Sequence, residues 1–203
     1  MADDCFHILS EPSEGFYSEK RSKFLAFAFP IETKDEAMEQ LRSLRNKYHD
    51  ARHVCFAYTL GIDQIEERCN DDGEPSGTGG RPILGQIHSF GLHNTLLAVV
   101  RYYGGTPLGA ANLGRAYQQA AQDALQQARI TSRQLTATLR LAATYEDVDR
   151  VMRLAKKHNA RVDYTAHRAD GVDISVEVSR AQAESLHGEL RQIHTLQWPD
   201  DHA

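Results

Sequence analysis

No stretch of this 203-residue sequence reaches the roughly 18 consecutive apolar residues that span a bilayer, and the longest apolar run, Leu96 to Val100, is strand-sized. Membrane partners are therefore not expected. Cysteine is scarce. Cys5, Cys55 and Cys69 are odd in number and widely spaced, with no C-x-x-C, so neither a disulfide framework nor a zinc ribbon is expected. Reduced thiols in a cytoplasmic protein fit this usage. The start, Met1-Ala2-Asp3-Asp4-Cys5, is acidic and has no basic segment followed by an apolar core, so no secretory leader is expected. Positive charge is also short: 23 Lys and Arg against 28 Asp and Glu leave a net charge of −5. That balance argues against a duplex-DNA coat, which needs a net positive face, while a local basic patch remains allowed.

Catalytic signatures are missing as well. Ten histidines include no H-E-x-x-H. Ser76 has no G-x-S-x-G elbow, and Cys55 lies on a strand with no assigned base. No glycine loop closes with Lys-Ser or Lys-Thr, which excludes a P-loop. No metal or cofactor is expected.

Hydrophobic residues at 41% and charged residues at 25% are ordinary globular composition. The length suits one large domain or two small ones. Strands are expected at Lys23–Phe29, Arg52–Leu60 and Thr95–Tyr103. The last is an unbroken run that implies burial on both faces. Thr33-Lys34-Asp35-Glu36 reads as a capping box before a helix striped by Ala37, Leu41, Leu44 and Tyr48. A short helix is expected over Pro82–Phe90. A longer one begins near Leu108–Gly109 and runs to about Ala128, with so many inward alanines that it must approach its neighbour closely.

The pattern changes after Ile130. A half-buried strand at Leu135–Leu141 is followed by a helix around Val148–Ala155. Strands at Arg161–Ala166 and Val172–Val178 are joined through Asp170-Gly171, the dipeptide a type I′ turn prefers. Ser179 with Gln182 suggests a second capping box ahead of a last helix, and Thr195–Trp198 is read as a short strand. This is the split βαβ order. A linker at about Ile130–Ser132 divides the chain into domains 1–131 and 132–203.

Residues 61–80 contain little that could form a core, and so long a loop is usually functional or disordered. Within it, Asp71, Asp72 and Glu74 place three carboxylates in four positions, a set that could attract a hard cation. The spacing is not that of an EF-hand, and a solvated turn whose Asp side chains cap backbone N–H groups is the preferred reading. A second unusual segment runs from Arg101 through Tyr102, Tyr103, Gly104 and Gly105 to Gly114. Glycines between a strand and a helix can cradle an anion, or simply permit positive φ and tight packing. The second reading, positive φ and tight packing, is preferred for Gly109 and Gly114, and Gly104 and Gly105 are left open between the two. Arg101, Tyr102 and Tyr103 at a strand end could grip phosphates or stack on bases, although alternation turns one tyrosine to the core, and Arg101 could instead pair with Asp71, Asp72 or Glu74 and pin the loop. Arg52 and His53 open the neighbouring strand. Arg150, Arg153 and Lys157 form one helical stripe, a candidate for RNA-phosphate contacts or a solvated face.

The segments Asp71-Asp72-Gly73-Glu74-Pro75-Ser76-Gly77-Thr78-Gly79-Gly80-Arg81-Pro82-Ile83-Leu84 and Val99-Val100-Arg101-Tyr102-Tyr103-Gly104-Gly105-Thr106-Pro107-Leu108-Gly109 resemble those of the YigZ/IMPACT family. Departures fall at Gly79, where alanine is common in relatives, and at Gly109-Ala110-Ala111-Asn112, where a Gly-x-Gly-Gly pattern is usual. The resemblance implies an α+β protein of two domains: a ribosomal protein S5 domain 2-like N-terminal domain and a ferredoxin-like C-terminal domain. It also implies work in translation, because eukaryotic members compete for the activator of a starvation-sensing kinase. That role uses an additional N-terminal domain, which is not expected in these 203 residues.

The expected function is therefore that of a non-catalytic binding or regulatory protein in translation or RNA metabolism. Its candidate partners are the ribosome, RNA or a translation-associated protein. The expected binding surface comprises Arg52, His53, Asp71, Asp72, Glu74, Thr78, Arg101, Tyr102, Tyr103, Gly104 and Gly105. The alternative is a metal- or phosphate-dependent hydrolase that uses the acidic loop Asp71–Glu74.

Overall fold

The structure, a computed structural model, describes residues 5–199. Residues 1–4, which bear on the question of a leader, lie outside that range. The chain divides into two compact units, Phe6–Arg133 and the part from Gln134 onward.

In the first unit the elements are β1 (Cys5–Leu9), β2 (Ser13–Glu19), β3 (Ser22–Pro30), α1 (Lys34–Lys47), β4 (His53–Leu60), β5 (Glu66–Asn70), α2 (Gly80–Ser89), β6 (Thr95–Tyr102), α3 (Ala110–Gln126) and β7 (Ile130–Gln134). Five strands form an antiparallel sheet in the order β2-β3-β6-β4-β5, and β1 pairs with β7. Period-two alternation divides the central strands between two cores. Phe24, Ala26, Cys55, Ala57, Leu97 and Val99 pack with α2 and α3. Phe27, Val54, Phe56, Tyr58, Leu96, Ala98 and Val100 pack with Ala37, Leu41 and Leu44 of α1. With helices on both faces, β6 is buried along nearly its whole length, as its unbroken apolar run requires.

Several expectations needed correction. Two strands, β1 and β2, precede the first one read from sequence. The stretch 61–80 is not all loop: β5 is exposed at every residue and pairs with β4 as a charged edge strand, so its sequence shows no apolar pattern. The supposed linker Ile130–Ser132 lies in the largely exposed β7, whose mate β1 is also short and only partly buried. The capping box at α1 forms in modified shape. Thr33 Oγ1 accepts the Glu36 N–H at 3.2 Å, but Glu36 accepts from the N–H of Glu32 rather than that of Thr33.

The second unit contains β8 (Thr136–Thr144), α4 (Val148–Lys157), β9 (Arg161–His167), β10 (Gly171–Ser179) and α5 (Arg180–Arg191). β10 lies between β8 and β9 and runs antiparallel to both, so β8 and β9 are parallel to one another, the arrangement of a split βαβ. In place of a fourth strand, Gln197 makes an isolated bridge to Ala142, and Trp198 is buried beside it. Val151, Ile174, Val176, Leu186 and Leu190 are among the residues of this unit's own core. The type I′ turn at Asp170-Gly171 does not form. Neither residue has positive φ, and Gly171 is instead a strand residue whose added Cβ would lie 2.2 Å from the Ala143 carbonyl oxygen. Ser179 precedes α5 without a side-chain cap.

The alanine face of α3 approaches β2 closely. A Cβ on Gly15 would lie 2.2 Å from the Ala124 backbone nitrogen. We expect Gly15→Ala to lower the unfolding free energy by about 1–3 kcal/mol, since neither backbone can yield cheaply. Urea denaturation of the full chain measures this, and an unchanged midpoint contradicts it.

Candidate functional site

His53 and Arg101 are register partners on adjacent strands β4 and β6, and both lie on the sheet face that carries α2 and α3. The acidic loop folds back over this point, and each of its carboxylates has separate work. Asp71 accepts the N–H groups of Gly77 at 2.8 Å, Gly79 at 2.9 Å and Gly80 at 2.8 Å, and so caps the start of α2. Asp72, with φ of +44°, accepts the Val54 N–H and an Arg45 Nη2–H, each at 2.7 Å. Glu74, with its side chain only 4% exposed, accepts from Arg101 Nη1 at 2.5 Å and from the Tyr117 hydroxyl at 2.8 Å through one oxygen. Its other oxygen lies 3.9 Å from His53 Nε2.

The His53 tautomer follows from its neighbour. Nδ1 lies 2.8 Å from the Asp72 carbonyl oxygen, which can only accept, so Nδ1 carries a proton. In the neutral ring, Nε2 is then the nitrogen with the lone pair, 3.9 Å from Glu74. Arg101 is 6% exposed and its Cζ lies 5.5 Å from the ring centroids of both Phe24 and Tyr103. Its Nε is buried without a hydrogen-bond partner. Arg101 therefore pins the loop through Glu74 and also has an unused edge.

A pocket of about 370 Å³ opens here. It is lined by Arg52, His53, Glu74, Pro75, Arg101, Tyr103, the segment 107–109 that leads into α3, and Ala110 at the helix start. Larger hollows lie elsewhere, but this one adjoins the polar cluster. Arg52 is exposed. Tyr103 is 49% exposed. The two tyrosines separate as strand alternation demands: Tyr102 turns to the opposite face and donates to Asp50 at 2.7 Å, a bond that, with some burial, pushes its hydroxyl up to about 12. Thr78 is buried and its hydroxyl donates to the Pro75 carbonyl at 2.6 Å.

The glycines divide by role. Gly104 is needed for packing, because a Cβ there would lie 2.2 Å from the Arg21 carbonyl carbon. Gly105, at φ +86°, and Gly109, at φ +76°, need the left-handed region. Gly114 has neither constraint, since an added Cβ would make only ordinary contact with Pro82 at 3.7 Å. At Gly79 a Cβ would lie 2.5 Å from Cys55 Sγ, so the small residue accommodates this cysteine. Burial pushes the Cys55 thiol up to about 12, which leaves it protonated and unreactive.

In the second unit, Arg150 pairs with Asp147 at 3.3 Å and Lys157 with Glu189 at 2.8 Å. The helical stripe is therefore partly neutralised. Arg153 remains, beside Lys156 in a groove against β9.

Sequence reasoning missed Tyr117 and Arg45 as parts of this site. Tyr117 reads as one more inward residue of α3, and periodicity cannot show that its hydroxyl ends on Glu74. Arg45 reads as solvated helix surface. Among the described residues, no group of three His, Cys, Asp or Glu side chains is gathered in a way that could hold a metal ion.

With this geometry in place, the comparisons identify the lineage: the chain belongs to the YigZ/IMPACT family, and residues 20–125 match the Impact N-terminal domain. It is 34% identical over 126 residues to the IMPACT family member YvyE of Bacillus subtilis, covering 62% of this chain and 58% of that protein. It is 28% identical over 175 residues to an IMPACT family member of Haemophilus influenzae, covering 85% and 84%. Against the IMPACT family member YigZ of Escherichia coli it is 36% identical over 110 residues, covering 53% and 54%. Matched segments thus span little more than half the length of two of these relatives. A crystal structure of a hypothetical protein superposes with a TM-score of 0.67 at 27% identity, covering 95% of each chain.

Burial raises the Asp71 carboxyl, but the N–H groups of Gly77, Gly80 and Gly79, with Arg81 nearby, outweigh it and hold the group below its ordinary range. Asp72 is lowered likewise: burial opposes ionisation, and Arg45 and the Val54 N–H overcome it. Folded-state values below the unfolded value of about 3.9 mean stabilisation that is complete above that pH and lost as pH falls through the folded values. We expect acid unfolding below about pH 4 whose steepness falls in Asp71→Asn, and a loss of about 1–2 kcal/mol in that variant at pH 7, because the amide NH2 cannot accept from the Gly77 N–H. Denaturant unfolding across pH checks both, and an unchanged acid limb contradicts the assignment.

Proposed function

We propose that this protein is a non-catalytic binding protein acting in translation or RNA metabolism in the cytoplasm. Its partner is RNA, the ribosome or a translation-associated protein, and it is engaged on the face around Arg52, His53, Arg101 and Tyr103. The observation that carries this reading is the make-up of that face. Two arginines, a histidine, a half-exposed tyrosine and the start of a long helix surround one opening. Cationic groups combined with an aromatic ring are what single-stranded nucleic acid requires. Membership of the family supports the setting, since the resemblance implies translational control for its eukaryotic members.

The hydrolase alternative has less support. Asp71, Asp72 and Glu74 already accept from backbone N–H groups, arginines and a tyrosine, which leaves them poorly placed to take a hydrated cation. The α4 stripe is a weaker phosphate surface because two of its three cations have carboxylate partners.

Fluorescence anisotropy with short single-stranded RNA, titrated over a range of salt concentrations, tests the reading. We expect binding that weakens with salt, and Arg52→Ala to reduce the slope of log K against log[salt] by about one with an unchanged melting temperature. Absence of RNA binding at about 50 mM salt, with no ribosome co-sedimentation, contradicts the proposal.

A further inference from the structure

The pocket beside Arg101 combines two arginines with the start of a helix. α3 begins at Ala110 after Gly109, with no side-chain cap, and its first intrahelical bond is the Leu113 N–H to the Gly109 carbonyl at 2.9 Å. The N–H groups of Ala110, Ala111 and Asn112 therefore precede the helical ladder without an acceptor among the described residues, and the Ala110 end lines the pocket. A helix start alone is not a site. The second observation is Arg101, which lines the same pocket while 6% exposed, with Nη1 held by Glu74 and Nε left without a partner. Arg52 lines the pocket too and has no carboxylate partner among the described residues. Arg52 and Arg101 against Glu74 leave one net positive charge, to which the helix start adds a partial one.

We infer that this pocket binds a terminal phosphomonoester of a nucleotide, with the phosphate at the start of α3 between Arg52 and Arg101 and the planar base against Tyr103. This inference rests on the reading of the same face as an RNA- or translation-related binding site. Three features select the ligand. The depth of Arg101 favours a terminal group, because a phosphodiester inside a continuous backbone cannot descend to a guanidinium that is 6% exposed. A dianion matches two guanidinium groups and a helix start better than a carboxylate does. The volume of about 370 Å³ and the apolar lining from Pro75, Pro107, Leu108 and Tyr103 suit a small ring-bearing ligand rather than a bare ion. A free mononucleotide and the phosphorylated end of an RNA present the same chemistry.

Isothermal titration of the full chain with adenosine 5′-monophosphate, inorganic phosphate and adenosine tests the inference. We expect saturable binding of the nucleotide, weaker binding of phosphate and none of adenosine. Arg52→Ala weakens nucleotide binding about tenfold. Ala110→Asp places a carboxylate where the helix favours one, and so abolishes binding while the melting temperature holds or rises. A short single-stranded RNA that competes with the nucleotide only when it carries a 5′-phosphate assigns the site to RNA ends, and nucleotide binding without that competition assigns it to free nucleotide. Absence of saturable nucleotide binding, or binding indifferent to both variants, overturns the inference. RNA bound equally with and without a 5′-phosphate, with no nucleotide bound, removes the pocket and leaves the RNA-binding reading in place. Nucleotide bound with no RNA or ribosome association does the reverse.

Discussion

The buried pair between Glu74 and Arg101 holds the acidic loop to the sheet. Glu74 comes from the loop and Arg101 from the end of the central strand, and neither side chain is more than 7% exposed. A charge at such depth needs a partner, because desolvating it alone costs several kcal/mol. Glu74 therefore cannot leave without stranding Arg101, and Arg101 cannot leave without stranding Glu74. The Tyr117 hydroxyl adds a third element to the same carboxylate oxygen, which ties β6, α3 and the loop together at one point.

Around that pin, the other acidic residues satisfy the backbone. Asp71 places a carboxylate where three N–H groups converge at the start of α2, the position a bound anion would otherwise occupy. Asp72 does comparable work on the edge of β4 and draws Arg45 of α1 across it. The loop is thus acidic because it supplies its own anions to an N–H-rich turn. α3 begins nearby with no such internal anion, and the pocket there has two arginines on it. The two helix starts divide the labour: one is closed from within, and the other faces an opening.

Legibility of the sequence followed apolar patterning. The buried strands β3, β4 and β6, the helices α1 and α3, and the split βαβ order of the second unit all have cores that leave period-two or helical stripes. β5 and β7 were missed because edge strands held by backbone bonds leave no such stripe, as the fully exposed Glu66–Asn70 shows. At the site, the sequence could bring Arg52, His53 and Arg101 to one sheet, because they border neighbouring strands. It could offer Asp71, Asp72 and Glu74 as carboxylates for Arg101 to pair with, but it could not single out Glu74. A carboxylate in a polar loop reads as solvated whether or not a buried arginine awaits it. Nor could it separate Tyr102 from Tyr103 by role, since alternation says only that the two diverge. The YigZ/IMPACT motifs marked the segments that meet around Glu74 and Arg101, but what those segments do to one another is a matter of three-dimensional geometry.

A double-mutant cycle between Glu74→Leu and Arg101→Met, read by urea unfolding of the full chain at neutral pH, is the most direct measurement of the central claim. Each single variant leaves one buried charge without its partner, and we expect each to cost about 3–5 kcal/mol. The double variant, which leaves neither charge, should be destabilised by clearly less than the sum, with a coupling of at least about 1 kcal/mol. Single losses below about 1 kcal/mol that add independently would contradict the account, since the loop would then be held by something other than this pair.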